Sequence, residues 1–263
     1  MSGKTNFFIT GATGYIGGSV VLRLLNHPRA STFHITVLIR AAEKAEEFKA
    51  LGINAVVGSH TDPLIVEKLA SEADVVFAIG YVNVYLVIPS SIYGIATGKL
   101  VELGLQNPYS VLVPALINAS IARGRSGMVG KGKNIWPNVD IEDAADLYTI
   151  LYDAIVANPD GVGHGREGIY FSENGENTAY DVGKAIGQAL VDAGKGENPE
   201  PTTFTKDELD KFFGGSDFFG SNSRCRGNRA RSIGWNPTNT TADLIASIKG
   251  DVEAILKKTA QLP

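Results

Sequence analysis

Phe7-Phe-Ile-Thr10-Gly11-Ala-Thr-Gly14-Tyr-Ile-Gly17 is the stretch that decides the fold. An apolar run from Phe7 stops at a glycine. Past the third glycine, Ser19-Val-Val-Leu-Arg-Leu-Leu25 continues the chain, and Ile16, Val20, Val21, Leu24 and Leu25 fall at helical spacing. The order is strand, glycine-rich turn, helix. Gly11 allows the tight turn, Gly14 lets backbone approach a pyrophosphate, and Gly17 lets the helix pack on the strand. The free N–H groups and dipole of the helix N-terminus favour an anion at that point. A strand before and a helix after are the context that a dinucleotide fingerprint needs, and a mere turn would not. Thr10, Gly11, Thr13, Gly14, Tyr15, Ile16 and Gly17 are therefore the candidate cofactor-binding loop.

Outward from this loop the pattern repeats. Phe33–Ile39 reads as a second strand, residues 41–51 as a helix and Asn54–Val57 as a third strand. Asp62 is a good N-cap and Pro63 suits the first helical position, so a helix is expected over 63–71. Residues 73–79 form the fourth apolar run. Such alternation predicts an α/β fold with a doubly wound, Rossmann-type parallel sheet covered on both faces. The residue after strand two selects the cofactor. An acid there bonds the ribose 2′-OH of NAD, whereas an arginine accommodates the 2′-phosphate of NADP. Arg40 stands at that place, which favours NADP over NAD; the competing reading is a solvated arginine at a helix start.

The 263 residues are 44% hydrophobic and 20% charged, enough apolar mass for a full core. A net charge of −4 makes nucleic acid and anionic membrane poor partners. Cys225 is the single cysteine, so no internal disulfide or cysteine metal cluster forms. The four histidines lack metal-ligand spacing. Neither a signal peptide nor a membrane span is visible, and the expected location is cytoplasmic.

Thr10-Gly-Ala-Thr-Gly-Tyr-Ile-Gly17 resembles the TGxxGxxG motif of extended short-chain dehydrogenases/reductases, the NAD-dependent epimerase/dehydratase group. Further segments agree in the family's order. Residues 84–94, ending Pro89-Ser-Ser-Ile-Tyr93-Gly94, are similar to its late strand "RPxxxYG". Val139-Asp-Ile-Glu-Asp-Ala-Ala145 is similar to "VHVDDxA", and Ser232-Ile-Gly-Trp-Asn-Pro237 to "LGWxP". Uncharacterised fungal members are the nearest in wording. The resemblance implies an NAD(P)-dependent oxidoreductase, epimerase or dehydratase acting on a small hydroxyl or carbonyl substrate. It also implies a Tyr-x-x-x-Lys pair and an upstream Ser or Thr for proton transfer, with the lysine lowering the tyrosine pKa. Ala78 and Pro89 would line the cofactor cleft.

The segment that carries those catalytic groups in the family is missing here. Only residues 80–83 separate the fourth strand from the late strand. Two parallel strands need a crossover of roughly a dozen residues or more, and residues 81–84 hold no hairpin signal. Tyr93 and Tyr81 are the nearest acid/base candidates, although neither starts a Tyr-x-x-x-Lys. Tyr180-Asp-Val-Gly-Lys184 does have that spacing, but it falls after the late strand, on a helix opened by Thr178 and Asp181, and reads as a peripheral helix. Two functions stay open: an enzyme with an unconventional acid/base, or a noncatalytic NAD(P)-binding or regulatory protein or shortened isoform.

Residues 1–94 are expected to form a shortened cofactor domain. Residues 95–263 are expected to form a smaller substrate lobe with elements returning to the core. Asn134 and Trp136, in the loop Gly130-Lys-Gly-Lys-Asn-Ile-Trp136, are candidate substrate contacts, with plain packing as the alternative. Arg166 could hold an anionic substrate. Arg224, Arg226, Arg229 and Arg231 read as an exposed helix face ahead of a phosphate site. A homodimer is an open expectation.

Overall fold

A computed structural model describes residues 4–77 and 85–260. The first unit follows the predicted alternation. Strand β1 (Thr5–Thr10) leads to helix α1 (Tyr15–Leu25), β2 (Phe33–Ile39), α2 (Ala45–Ala50), β3 (Asn54–Val57), α3 (Pro63–Ser71) and β4 (Val75–Phe77). All pairings are parallel, in the order β3-β2-β1-β4. Asp62 caps α3 through the Leu64 and Ile65 N–H groups, with Pro63 behind it, as expected. Phe7, Ile9, Val37 and Ile39 from the sheet meet Val20, Val21 and Leu24 from α1 in one buried cluster.

The late strand predicted over 84–94 is two strands. Strand β5 (Leu86–Pro89) ends at Ser90, and β6 (Ser91–Tyr93) resumes at once in a different sheet. The chain continues through α4 (Lys99–Glu102), α5 (Leu112–Arg123), β7 (Gly127–Met128), β8 (Ile135–Asp140) and α6 (Ile141–Ala157). Then come β9 (Ile169–Ser172), β10 (Glu176–Thr178), α7 (Ala179–Asp192), β11 (Thr202–Thr203), α8 (Lys206–Phe213), α9 (Asn228–Ser232) and α10 (Thr241–Ala260). β5 pairs with β9, parallel, as a two-stranded sheet. β6 pairs with β8, parallel, and β8 with β10, antiparallel.

The outer edge of β4 has no strand partner among the described residues, and neither has the free edge of β5. Helix α6 covers both flanks. Its Tyr148 ring lies 5.8 Å from Phe77 of β4, and Tyr152 lies 5.0 Å from Phe7 of β1. Its Leu147 and Leu151 bury with Tyr170 and Trp235, against Tyr85 and Val87 beside and within β5. Among the described residues, the two half-sheets are thus joined by one helix and not by strand pairing. A third cluster joins α5, α7 and α10, where Ile117, Ile186, Leu190, Leu244 and Ile248 interlock. No described helix is long and apolar enough to cross a membrane.

Candidate functional site

The glycine turn has the geometry that its sequence predicts. Gly11 sits at φ +70°, a region open to glycine without steric cost. The Gly14 N–H donates to the Gly11 carbonyl at 2.8 Å. A Cβ on Gly17 would fall 2.7 Å from the Gly11 carbonyl carbon and closer still to its oxygen. Only glycine lets α1 start that near to β1. Gly14 is the N-cap residue, and no side chain caps the helix; its first turn holds no acid. The N–H groups of Tyr15, Ile16 and Gly17 therefore remain available to an anion. Thr10 ends β1, and the Thr13 carbonyl accepts the Asn107 N–H at 3.0 Å, which ties the loop to the chain after α4.

Arg40 follows the last residue of β2, the strand beside β1. It is exposed and makes no hydrogen bond or ion pair with the described residues. Its guanidinium is free to meet a phosphate one strand away from the turn.

Tyr15 also has a role that the sequence reading missed. Its hydroxyl donates to the carbonyls of Tyr93 and Gly94, at 3.0 and 2.6 Å. Burial, and then the charge of Asp140, push its pKa far above the ordinary tyrosine value. The side chain braces α1 against the end of β6, and the hydroxyl keeps the proton that it donates. Gln106 adds a second brace. Its Nε2 bonds the Tyr15 carbonyl at 3.0 Å and the Ser19 Oγ at 2.8 Å. A small-residue face at Gly18 admits it, since a Cβ there would clash with the Gln106 side chain.

Tyr93 is 1% exposed. Its hydroxyl donates to the Thr240 carbonyl at 2.8 Å, and burial, followed by Asp140, raises its pKa strongly. That is the environment of a core tyrosine holding α10 in place, and it opposes proton transfer near neutral pH. The other tyrosine candidate, Tyr81, lies outside the described residues, as does Ala78. Pro89 ends β5 opposite Ser172 of β9. The neighbouring hydroxyls of Ser90 and Ser172 are both buried without a hydrogen-bond partner.

Acidic groups gather behind this region. Asp140 caps α6 by accepting the Glu142 N–H at 2.8 Å, and burial lifts its pKa to about 6. Asp143, three residues on, is engaged elsewhere. Its carboxylate accepts the N–H groups of Thr238 and Asn239 and the Asn239 amide, at 3.1, 2.9 and 3.1 Å. That carboxylate fixes the turn that follows Trp235, which in turn bonds the Asp143 carbonyl through its indole N–H. Asp251 of α10 is buried as well, and burial alone raises its pKa to about 6.

In the second half, Asn134 and Trp136 donate to backbone of the 219–221 turn, Trp136 Nε1 reaching the Ser221 carbonyl at 2.5 Å. Both line a cavity, so packing and ligand contact are compatible for them. Arg166 lies apart from these groups. It lies in the turn before β9, at the opposite end of that strand from Ser172 and from the carboxyl edge where open α/β sheets bind ligands. Of the arginine run, Arg224, Arg229 and Arg231 are committed to Glu176, Glu167 and Glu173. Tyr180 and Lys184 both bond Glu200 on the outer face of α7, away from the glycine turn in sequence and cluster. The described residues hold no cluster of metal ligands.

Residues 3–87 match the model of the NmrA-like family. Oxidase ucsJ of an Acremonium species is 22% identical, with 97% of each chain covered. That alignment runs to 346 positions against 263 residues here, so at least 83 positions of the oxidase lack a counterpart. Among solved structures, UDP-glucose 4-epimerase of Thermotoga maritima, with UDP-glucose, superposes with a TM-score of 0.60 at 14% identity. It covers 97% of this chain and 100% of its own. UDP-glucuronic acid 4-epimerase of Bacillus cereus, with UDP-glucuronic acid and NAD, gives 0.63 at 11% identity, covering 95% and 100%. The resemblance to the epimerase/dehydratase group is thereby borne out in the fold. The chain is a Rossmann-type α/β protein whose first third matches the NmrA-like family and whose architecture is that of the UDP-sugar epimerases.

Proposed function

We propose that this chain is an NADP(H)-binding protein of reductase and epimerase descent that lacks its own acid/base centre. The observation that carries the reading is the close approach of Gly17 to the Gly11 carbonyl, which opens an uncapped helix N-terminus onto the turn. Pyrophosphate fits that geometry, and the exposed Arg40 supplies a cation for a 2′-phosphate. The epimerase structures crystallised with NAD support the cofactor class. When bound, the nicotinamide would supply a hydride. The residues of this chain hold and orient it: Gly11, Gly14 and Gly17 by close approach, the first turn of α1 by its N–H groups, Pro89 by its place at the end of β5.

The absent acid/base centre is supported from three sides. The edges of β4 and β5 are unpaired among the described residues. The oxidase carries at least 83 positions with no counterpart here, the excess of a 346-position alignment over 263 residues. Tyr93 spends its hydroxyl on Thr240. The single cysteine suits a reducing, cytoplasmic setting. The test is a titration of NADPH followed by its fluorescence, alongside nicotinamide absorbance with aldehyde and ketone substrates. Saturable binding without turnover is the expected result. A folded chain that does not bind NADPH refutes the cofactor assignment, and carbonyl-dependent NADPH oxidation refutes the lack of catalysis.

A further inference from the structure

A cavity of about 440 Å³ opens between the Gly130–Asn134 loop, which follows β7, and the 217–222 turn. None of its lining residues belongs to the glycine turn or to β5, so it stands apart from the cofactor reading. Apart from glycines, Val129 is its one apolar lining residue. An apolar ligand gains little against such a wall, because covering polar groups without bonding them costs free energy. The volume lies in the range of small-molecule sites.

The loop turns donors outward. Thr203 Oγ1 donates to the Gly130 carbonyl at 2.6 Å, and the Tyr180 N–H to the Gly132 carbonyl at 3.0 Å. Both carbonyls thus face the body of the protein. In a trans peptide the N–H points opposite to the C=O of the same unit, and no described peptide is cis. The N–H groups of Lys131 and Lys133 therefore face the open side of the loop, and neither meets an acceptor among the described residues. Positive φ at Gly130 (+58°) and Gly132 (+66°) permits this alternation, the kind of backbone that gathers N–H groups around an anion. The ammonium groups of the same two lysines are exposed and form no ion pair with the described residues.

The rest of the lining adds one more donor and two acceptors. Asn222 accepts the Ile135 N–H through Oδ1 at 2.8 Å, so its NH2 group remains a donor. Asn134 spends Nδ2 on the Phe219 and Ser221 carbonyls, which leaves Oδ1 as an acceptor. Asp217 is exposed and makes no ion pair with the described residues. We infer that this cavity binds the phosphate monoester of a small polyol, phosphate on the Lys131–Lys133 loop and hydroxyls on Asn134 and Asp217. Two ammonium groups, two N–H groups and an amide are more donors than a carboxylate can use, and they suit the three terminal oxygens of a monoester. A diphosphate bridge, with two free oxygens on each phosphorus, uses fewer of them. A bare dianion would only be repelled by Asp217; hydroxyls set between the two make that carboxylate a partner.

The test is calorimetric titration of the full chain with glucose 6-phosphate, glycerol 3-phosphate, glucose, inorganic phosphate and UDP-glucose. One or both esters should bind, inorganic phosphate and UDP-glucose about tenfold more weakly than the better ester, and glucose weakest. The double change Lys131→Gln, Lys133→Gln should weaken the ester about tenfold, the worth of two exposed charge contacts, and high salt should act in the same direction. Asp217→Ala should weaken the ester about threefold and leave inorganic phosphate no weaker. All three side chains are exposed, so the melting temperatures should stay at the wild-type value. NADPH titrated into the ester complex should bind as it does to the free chain. The inference is overturned if neither ester binds, if inorganic phosphate or UDP-glucose binds as tightly as the better ester, if the double lysine variant keeps full affinity, or if NADPH competes with the ester. Ester binding in a chain that does not bind NADPH leaves it standing and removes the cofactor reading instead.

Discussion

Gly17→Ala is the sharpest probe of the turn. The new Cβ would lie 2.7 Å from the Gly11 carbonyl carbon, with backbone on both sides of the contact and no flexible side chain to yield. Overpacking of this kind costs up to about 3 kcal/mol. Replacing a helical glycine by alanine returns about 1 kcal/mol. The net loss is about 2 kcal/mol, or roughly 4–8 °C in melting temperature for a chain of this size. Gly250→Ala is the matched control. It stands on the exposed side of α10, and a Cβ there meets nothing within 4 Å. It should gain about 0.5–1 kcal/mol from the same backbone term. Differential scanning fluorimetry of both variants separates the contact from the propensity, and an NADPH titration should show affinity lost in Gly17→Ala and kept in Gly250→Ala. If Gly17→Ala melts at or above the wild-type temperature and binds NADPH unchanged, the close approach of helix to strand is not what shapes the site.

Arg40→Ala should weaken NADPH about tenfold or more, the worth of one charge-assisted phosphate contact, and leave NADH unaffected; equal losses for the two cofactors would remove Arg40 from the 2′-phosphate. Asp251→Asn should stabilise the protein with a definite pH dependence. Its carboxyl titrates near 6 when folded and near 3.9 when unfolded, so the cost of charging it is absent below about pH 4 and full above about pH 6. Denaturant midpoints should therefore show a gain of up to about 3 kcal/mol at pH 8 that vanishes by pH 4; a gain equal at both would assign it to packing. Asp143→Ala leaves the Thr238 and Asn239 N–H groups without their acceptor and should cost about 3 kcal/mol or more, read by chemical denaturation, with Asp143→Asn recovering part of it.

The first unit was legible because each signal in it is local. The strand Phe33–Ile39, the strand Asn54–Val57 and the helix Pro63–Ser71 have the expected bounds, since alternation and a proline behind an N-cap aspartate depend on neighbours in sequence. Helix α10 obeys the same local rule: Leu244, Ile245, Ile248, Val252, Ile255 and Leu256, at helical spacing, all face one cluster. Long-range geometry was not. The break at Ser90 splits one apolar run between two sheets; Pro89 marks where a strand can end, but not that β6 goes on to pair with β8. Asp143 follows the N-cap Asp140 by three residues, yet its carboxylate is claimed by a turn almost a hundred residues later. Tyr15 reads as part of the phosphate loop through its backbone, while its ring reaches across to Tyr93 and Gly94, a contact that spacing cannot show. Arg166 has the charge expected of a ligand residue, and only the direction of β9 shows that it stands at the amino end of that strand.

Helix α6 has a consequence for synthesis on the ribosome. Phe7, among the first residues of the sheet, finds its ring partner in Tyr152, and Phe77 finds its own in Tyr148. Until α6 has been made, the rings of Phe7 and Phe77 lack these partners, and β5 still awaits β9, which lies beyond α6 in the chain. Contacts this distant in sequence slow folding, because the loop between them must close before they are rewarded. The sheet that opens the chain therefore completes its packing only after residue 152 has been made, late in the synthesis of a fold whose first strand is its earliest element.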